Sequence, residues 1–118
     1  MIEARPPAPG TRLCALDDIP DPGGRGFDFR DGDAIFAGFV VRRGGQAFGY
    51  VDSCPHAGWR LGSLDDRYLD RLGTHILCFG HGASFEIDSG AAVAGPCPPG
   101  ARLQPWPVEV RDGAVFTA

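Results

Sequence analysis

Two short stretches, Cys54-Pro55-His56 and Cys78-Phe79-Gly80-His81, have a composition that suits a metal site. Each stretch pairs one cysteine with one histidine, and the 21 residues 57–77 separate the two pairs. A thiolate is a soft ligand and an imidazole is a borderline one, so four such side chains are sufficient to bind a metal centre. The candidate metal ligands are therefore Cys54, His56, Cys78 and His81.

Two kinds of metal centre use two cysteines and two histidines. In a Rieske [2Fe–2S] site two Cys hold one iron and two His hold the other, whereas a structural zinc site binds one ion with the same donor types. Zinc-finger spacing usually pairs Cys with Cys and His with His, while each pair here mixes the two. The mixed pairs favour an iron–sulfur cluster over zinc.

The rest of the chain predicts an all-β fold, because short apolar or alternating runs are separated by turn signals. Ala34–Arg42 is the longest run, and alternation places Ile35, Ala37, Phe39 and Val41 on one face of a strand. Further strands are predicted at Thr11–Ala15, Gln46–Asp52, Thr74–Leu77, Ser84–Ile87, Glu109–Arg111 and Ala114–Phe116.

Glycine-containing turns connect several of these predicted strands. Arg43-Gly44-Gly45 and Asp112-Gly113 predict hairpin turns. Asp21-Pro22-Gly23-Gly24 is expected to interrupt regular secondary structure. The stretch that suits a helical turn is Ser63–Gly73. Both ligand pairs follow predicted strands, so we expect the ligands on two loops at hairpin tips, held by rigid strands.

Length and composition predict one domain spanning residues 1–118. The chain contains 18 Gly and 11 Pro, but its hydrophobic content of 43% supports a real core. The net charge of −4 argues against non-specific nucleic-acid binding. No signal peptide or membrane anchor is expected. The expected location is the cytoplasm, where the four cysteines stay reduced and serve as metal ligands or core residues rather than disulfides.

From Asp52 onward the sequence resembles the Rieske-type ferredoxins of bacterial ring-hydroxylating oxygenases. The first stretch matches the family motif Cys-Pro-His-x-Gly-x-x-Leu, and the second matches Cys-x-x-His-Gly-x-x-Phe. The matching residues are Cys54, Pro55, His56, Gly58, Leu61, Cys78, His81, Gly82 and Phe85. Gly95-Pro96 occupies the place of the family's Gly-Pro loop over the cluster. The resemblance implies a fold of small antiparallel sheets, with one [2Fe–2S] cluster held by two hairpin loops of an inserted subdomain at about residues 52–98.

The resemblance also indicates which kind of Rieske protein this is. Respiratory relatives have an extra Cys in each loop, which form a disulfide, and the matching positions here are Trp59 and Gly80. Those relatives also place a Ser and a Tyr hydroxyl on the cluster, where this chain has Ala83 and Phe85. Hydrogen bonds to the sulfurs raise the reduction potential. We therefore expect a potential near the low end of the Rieske range, roughly −150 mV, unless Ser84 donates in place of Ala83.

Three functions are compatible with such a centre. The resemblance implies a soluble one-electron carrier that passes electrons from a reductase to an oxygenase. An oxygenase would itself need a mononuclear iron site, typically two His and one carboxylate, and only His75 remains after the cluster ligands. An enzyme is therefore not expected. A redox-sensing or structural zinc module remains the alternative.

The other cysteines, His75 and the tryptophans have simpler interpretations. Cys14 and Cys97 are expected to be small buried hydrophobes, His75 an ordinary strand residue, and Trp106 a core residue. Trp59 is expected either to pack in the core or to form part of the face that docks a partner. Relative to the family, the extra length between the ligand pairs falls in Asp65–Gly73. Asp65, Asp66 and Arg67 are expected to form a solvated loop, with selection of the reductase or oxygenase partner by the insertion as the sharper hypothesis.

Overall fold

The computed structural model describes residues 5–53, 61, 67–78, 82–95 and 100–118. Within these residues, antiparallel strands form three three-stranded sheets, which confirms the predicted all-β class. The strands are β1 Arg12–Ala15, β2 Gly23–Asp31, β3 Ala34–Arg43, β4 Gln46–Val51, β5 His75–Leu77, β6 Ser84–Glu86, β7 Ala92–Ala94, β8 Val108–Arg111 and β9 Ala114–Thr117. The sheet orders are β1-β9-β8, β2-β3-β4 and β5-β6-β7. The helical element in the described part is a 3-10 turn, Leu16–Asp18, and no helix there is long and apolar enough to cross a membrane.

Strand β3 lies between two hydrophobic cores and supplies side chains to both. The first, which we call the site core, consists of Phe39, Val41, Tyr50, Leu61, Tyr68, Ile76, Cys78, Ala83, Phe85, Ile87 and Leu103. The second, the terminal core, consists of Cys14, Leu16, Ile19, Phe36, Val40, Trp106 and Val115. Since side chains alternate along a strand, the predicted apolar face of β3 enters the site core through Phe39 and Val41, while Ile35 and Ala37 of that face are half-buried. The opposite face, which the alternation did not mark as apolar, is also buried.

Strand β2 corrects part of the prediction that Asp21–Gly24 interrupts regular structure, since Asp21 and Pro22 form a bend but Gly23 and Gly24 do not. It begins at Gly23 and pairs with β3 along its whole length, from Gly23 opposite Arg42 to Asp31 opposite Ala34. Packing explains why residue 24 is a glycine, because a Cβ there would lie 3.0 Å from Cδ2 of Tyr68. A Gly-rich segment therefore forms a strand where a ring must approach the backbone closely.

Both predicted hairpin turns are confirmed. The β3–β4 turn contains Gly44 at φ +64°, and the β8–β9 turn contains Asp112 at φ +51° and Gly113 at φ +74°. Positive φ at both central residues is what a type I′ hairpin turn requires, and Asp-Gly is a preferred pair for it. The remaining predicted strands also form, each with one end that differs from the prediction by one residue.

The described part of Ser63–Gly73 is not helical, so the helical-turn prediction is wrong for residues 67–73. Leu69 forms an antiparallel bridge with Ile76, and the chain reverses between Asp70 and Thr74. Both carboxylate oxygens of Asp70 accept hydrogen bonds from Thr74, one from the backbone N–H and one from the hydroxyl, each 2.9 Å long. Such side-chain bonds give the backbone an alternative to a helix.

The segment 100–107 connects the two cores. The Leu103 N–H donates to the Gly90 carbonyl, and the Trp106 N–H donates to the Gly49 carbonyl, each over 2.9 Å. Leu103 is buried in the site core, and Trp106, 4% exposed, is buried in the terminal core. The prediction that Trp106 is a core residue is confirmed.

Candidate metal centre

Cys78 lies at the narrow end of the β5–β6 hairpin, directly after β5. Its backbone N–H donates to the Ala83 carbonyl, and its carbonyl accepts from the Gly82 N–H, each over 2.8 Å. These bonds join Cys78 to Gly82 and Ala83 at the start of the returning strand. The Cys78 residue is fully buried in the site core, so two strands and an apolar core fix the start of the second ligand pair.

The first ligand pair follows β4 in the sequence. Asp52, directly after β4, donates its backbone N–H to the Ala37 carbonyl over 2.9 Å. Its Oδ1 atom accepts the N–H of Leu61 over 2.7 Å. The segment 53–60, which contains Cys54 and His56, therefore lies between two residues that are hydrogen-bonded to each other.

Tyr68 connects the two parts of the candidate site, which we call its arms. The first arm runs from the end of β4 to Leu61, and the second is the β5–β6 hairpin with Cys78. Its hydroxyl donates to Oδ2 of Asp52 over 3.3 Å, and its carbonyl accepts the Leu77 N–H over 2.9 Å. Its ring is stacked on Phe39, with centroids 4.5 Å apart and an interplanar angle of 9°. One buried tyrosine thus contacts the end of β4, strand β3 and the residue before Cys78.

A third part of the chain, at Gly95 directly after β7, packs against the second arm. Its φ is +99°, and a Cβ at this position would lie 2.5 Å from the Cα of Ala83. The Ala83 carbonyl accepts the N–H of Cys78. The backbone at Gly95 therefore packs directly against the residue to which this cysteine is hydrogen-bonded. The Gly95 position agrees with the expectation that the Gly95-Pro96 segment approaches the site, although Pro96 lies outside the described residues.

Of the four candidate ligands, only Cys78 is among the described residues. Cys54, His56 and His81 lie outside them, so their convergence with Cys78 stays a prediction, as do the expectations for Trp59 and Cys97. Within the residues that the structure describes, no group of three or more His, Cys, Asp or Glu side chains could hold a metal ion. The donor set fits a [2Fe–2S] cluster by its chemistry, and the buried Cys78 thiol fits it by position.

The expected lack of hydroxyl donors can be checked along β6. Ala83 and Phe85 are fully buried in the site core with Cys78. Ser84 lies between them and is half-buried, like Glu86 two positions further on, so alternation along β6 assigns it to the face opposite Phe85. Ser84 is therefore poorly placed to donate a hydrogen bond on the side of Cys78.

His75 is an ordinary strand residue of β5, as predicted, and its ring lies between two carboxylates. Nδ1 is 3.6 Å from Oδ2 of Asp70, and Nε2 is 3.9 Å from Oε1 of Glu86. Partial burial acts to raise the pKa of Asp70. The hydrogen bonds from Thr74 and the proximity of His75 outweigh it and lower that pKa.

Cys14 behaves as the expected buried hydrophobe. It is 3% exposed and packs in the terminal core, and burial raises the pKa of its thiol. Because a raised pKa disfavours the thiolate, Cys14 is a poor ligand and a poor nucleophile.

Asp52 and Tyr68 were not singled out by the sequence analysis, yet both are buried beside the site. A signal for Asp52 exists in the alternation of β4. Phe48 and Tyr50 lie on the core face, and Asp52 continues that face two positions further on. No comparable local signal marks Tyr68, because its ring meets Phe39 and Asp52 only in the folded chain.

Comparison with known proteins identifies relatives of this fold and site. The sequence model of the Rieske [2Fe-2S] domain matches residues 11–107. The p-cumate 2,3-dioxygenase system ferredoxin component of Pseudomonas putida is 34% identical over 104 residues, which cover 88% of this chain and 80% of that protein.

Solved structures show the same similarity in three dimensions. The ferredoxin of Sphingomonas yanoikuyae B1 is 32% identical with a TM-score of 0.67, and the match covers 92% of this chain and 96% of that chain. A chain in the complex of reduced oxygenase and oxidized ferredoxin in carbazole 1,9a-dioxygenase is also 32% identical. Its TM-score is 0.68, and the match covers 91% of this chain and 99% of that chain.

Proposed function

Because the chain belongs to the Rieske [2Fe-2S] domain family, we propose that Cys54, His56, Cys78 and His81 are the ligands of its cluster. The protein is an electron carrier of the ferredoxin type with one [2Fe–2S] cluster, and it is not itself an enzyme. The observation that carries this function is the family match over residues 11–107, which spans both ligand pairs. When bound, the cluster supplies a one-electron redox couple.

The ligand assignment is supported by donor chemistry and by the position of Cys78. Two thiolates and two imidazoles are the donor set of a Rieske cluster. Cys78 is buried at the end of β5 with its backbone N–H and C=O both hydrogen-bonded. The backbone at Cys78 is thus fixed by the fold itself, which is what a ligand on a short loop requires.

We propose that a ferredoxin reductase supplies the electron and that a terminal oxygenase receives it. The named relatives support this, since one is the ferredoxin component of a dioxygenase system and another occurs in a complex of oxygenase and ferredoxin. Both contacts would be transient, because a carrier has to leave one partner before it meets the other. Nucleic acid is not a proposed partner, in keeping with the net charge of −4.

We further propose that residues 1–118 form one domain, with a cluster-binding part at about 52–98. The family match starts at residue 11 and ends at residue 107, and β1 pairs with β9, which ties the two ends of the chain together. The proposed location is the cytoplasm, where a thiolate donor set stays reduced.

The test is visible absorption and EPR spectroscopy of the purified protein, oxidised and after reduction with dithionite, together with metal analysis. We expect about two irons and two sulfides per chain and an EPR signal that appears only on reduction. The ligand variants Cys54→Ser and His81→Ala are expected to lose this signal, while Cys14→Ser, which alters a cysteine of the terminal core, keeps it. A colourless protein that contains zinc would contradict the proposed function.

A further inference from the structure

We propose that Asp52 is a positioning residue, which holds the first ligand segment in shape and in register with the second. We use the term Asp52 bridge for its carboxylate together with the Leu61 N–H and the Tyr68 hydroxyl that donate to it. The inference rests on the proposed function, because it treats Cys54 and His56 as ligands.

The first part of the Asp52 bridge joins the two ends of a short segment. Oδ1 of Asp52 accepts the Leu61 N–H over 2.7 Å, across nine positions of sequence. Hydrogen bonds to an ionised group are shorter and stronger than neutral ones, and this length is typical of them. Because Asp52 also donates its backbone N–H to Ala37 of β3, the hydrogen-bonded pair Asp52 and Leu61 is fixed to the sheet. Bringing the two ends of a short chain together lowers its conformational entropy, so we infer that less entropy is lost when the ligands bind.

The burial of Asp52 shows that the carboxylate is held for its hydrogen bonds. It is 7% exposed, and Asp is among the residues least often found buried. Burying a carboxylate is unfavourable unless hydrogen bonds compensate for the lost water. Here separate oxygens accept from a backbone N–H and from a hydroxyl. A valine would fill similar space but would leave the Leu61 N–H without this acceptor.

The second part of the Asp52 bridge reaches the other ligand pair through Tyr68. The Tyr68 hydroxyl donates to Oδ2 of Asp52, and its carbonyl accepts the N–H of Leu77, the residue before Cys78. The Tyr68 ring cannot shift freely, because it is stacked on Phe39 and lies against the backbone of Gly24. Tyr68 lies within Asp65–Gly73, where the extra length between the ligand pairs is expected, and it connects the two arms.

Amide hydrogen exchange tests the Asp52 bridge directly and independently of the metal that is bound. In Asp52→Ala the Leu61 amide is expected to exchange roughly tenfold or more faster than in the wild type, because a hydrogen bond to a charged acceptor is lost. Asp52→Asn keeps an acceptor oxygen, so the Leu61 amide is expected to stay within about threefold of the wild type. The Val115 amide in the terminal core is the internal control. Unchanged exchange at Leu61 in Asp52→Ala would overturn the inference.

A second comparison uses two tyrosine variants and remains informative even if Asp52→Ala does not fold. Tyr68→Phe removes the hydroxyl that donates to Asp52, and Tyr50→Phe removes an equally buried hydroxyl that donates to the Ile87 carbonyl over 2.6 Å. We expect iron release to a chelator to be roughly threefold faster in Tyr68→Phe, with altered EPR g values. Tyr50→Phe is expected to keep the wild-type g values.

The outcomes separate this inference from the proposed function. If the wild-type protein holds no [2Fe–2S] cluster, the proposed function fails, while exchange at Leu61 still reports on the Asp52 bridge. If the cluster forms and Tyr68→Phe matches Tyr50→Phe in both iron release and g values, the inference fails and the proposed function stands.

Discussion

The backbone of Gly95 lies so close to Ala83 that a Cβ on the glycine would be 2.5 Å from the alanine Cα. The Ala83 carbonyl in turn accepts the N–H of Cys78. A side chain at position 95 would therefore displace either the chain around residue 95 or the hydrogen-bonded residues Ala83 and Cys78. This contact makes the glycine a requirement of packing as well as of conformation.

We expect Gly95→Ala to lower the free energy of unfolding by about 2–4 kcal/mol, since it combines a disfavoured positive φ with overpacking. Gly100→Ala is the matched control, because Gly100 has a φ of +80° but a Cβ there would have no atom within 4 Å beyond its chain neighbours. It should lose only the conformational part, about 1 kcal/mol. Urea unfolding followed by circular dichroism measures both. Equal losses in the two variants would show that the contact with Ala83 does not matter.

The reduction potential is the second prediction. Because Ala83, directly before β6, and Phe85 within it are both buried while Ser84 is half-buried, we expect a potential of roughly −150 mV. Ala83→Ser introduces a hydroxyl on the buried face. A hydrogen bond of about 1 kcal/mol to the reduced state would raise a one-electron potential by roughly 40 mV.

Ser84→Ala is the control for this prediction, and its potential is expected to equal that of the wild type. A spectroelectrochemical titration of the three proteins decides the matter. A clearly positive wild-type potential, or a large drop in Ser84→Ala, would mean that a hydroxyl already reaches the cluster.

The turn at Asp70 gives a prediction about pH. Its pKa lies below the usual value in the folded protein, and in the unfolded chain it is about 3.9. A carboxyl group with a lowered folded pKa stabilises the fold above the unfolded pKa, and this contribution is lost as the pH falls through the folded pKa. The Asp70 contribution should therefore be complete above about pH 5 and disappear in stronger acid.

Carbon-13 NMR of the Asp70 carboxyl group during an acid titration measures this pKa. Thr74→Val removes the hydroxyl that donates to Oδ2 and is expected to raise the pKa of Asp70, whereas Thr74→Ser keeps the hydroxyl and the lower pKa. A pKa that is the same in both variants would leave the hydroxyl without a role in the shift.

Local patterns predicted most of the fold, and contacts between distant residues account for what they missed. Asp112-Gly113 and Gly44 sit at positive φ in hairpin turns, and such turns depend on a few neighbouring residues. Strands β2 and β7 were not predicted, and the glycines at the start of β2 carry no β signal. Gly24 is explained by Tyr68, which packs against it from a distant part of the sequence.

The candidate site divides in the same way. Donor types and spacing alone predicted the four ligands, because coordination chemistry restricts which residues can serve. Of these the structure describes Cys78, which it places in the site core. The Asp52 bridge could not be predicted, since its members Asp52, Leu61 and Tyr68 meet only when the arms pack on β3.

The terminal core provides the last prediction, which concerns the contact between Gly38 and Trp106. A Cβ on Gly38 would lie 2.5 Å from Cε3 of the indole, and three phenylalanine rings, those of Phe27, Phe29 and Phe36, surround that indole edge-on or at steep angles. Because these rings enclose the indole, it cannot move aside. Gly38→Ala is therefore expected to lower the free energy of unfolding by about 1–3 kcal/mol. Gly45→Ala, with no atom near its Cβ, should change it by less than about 0.5 kcal/mol. Thermal unfolding followed by Trp fluorescence compares the two, and similar stabilities would show that the indole has room to shift.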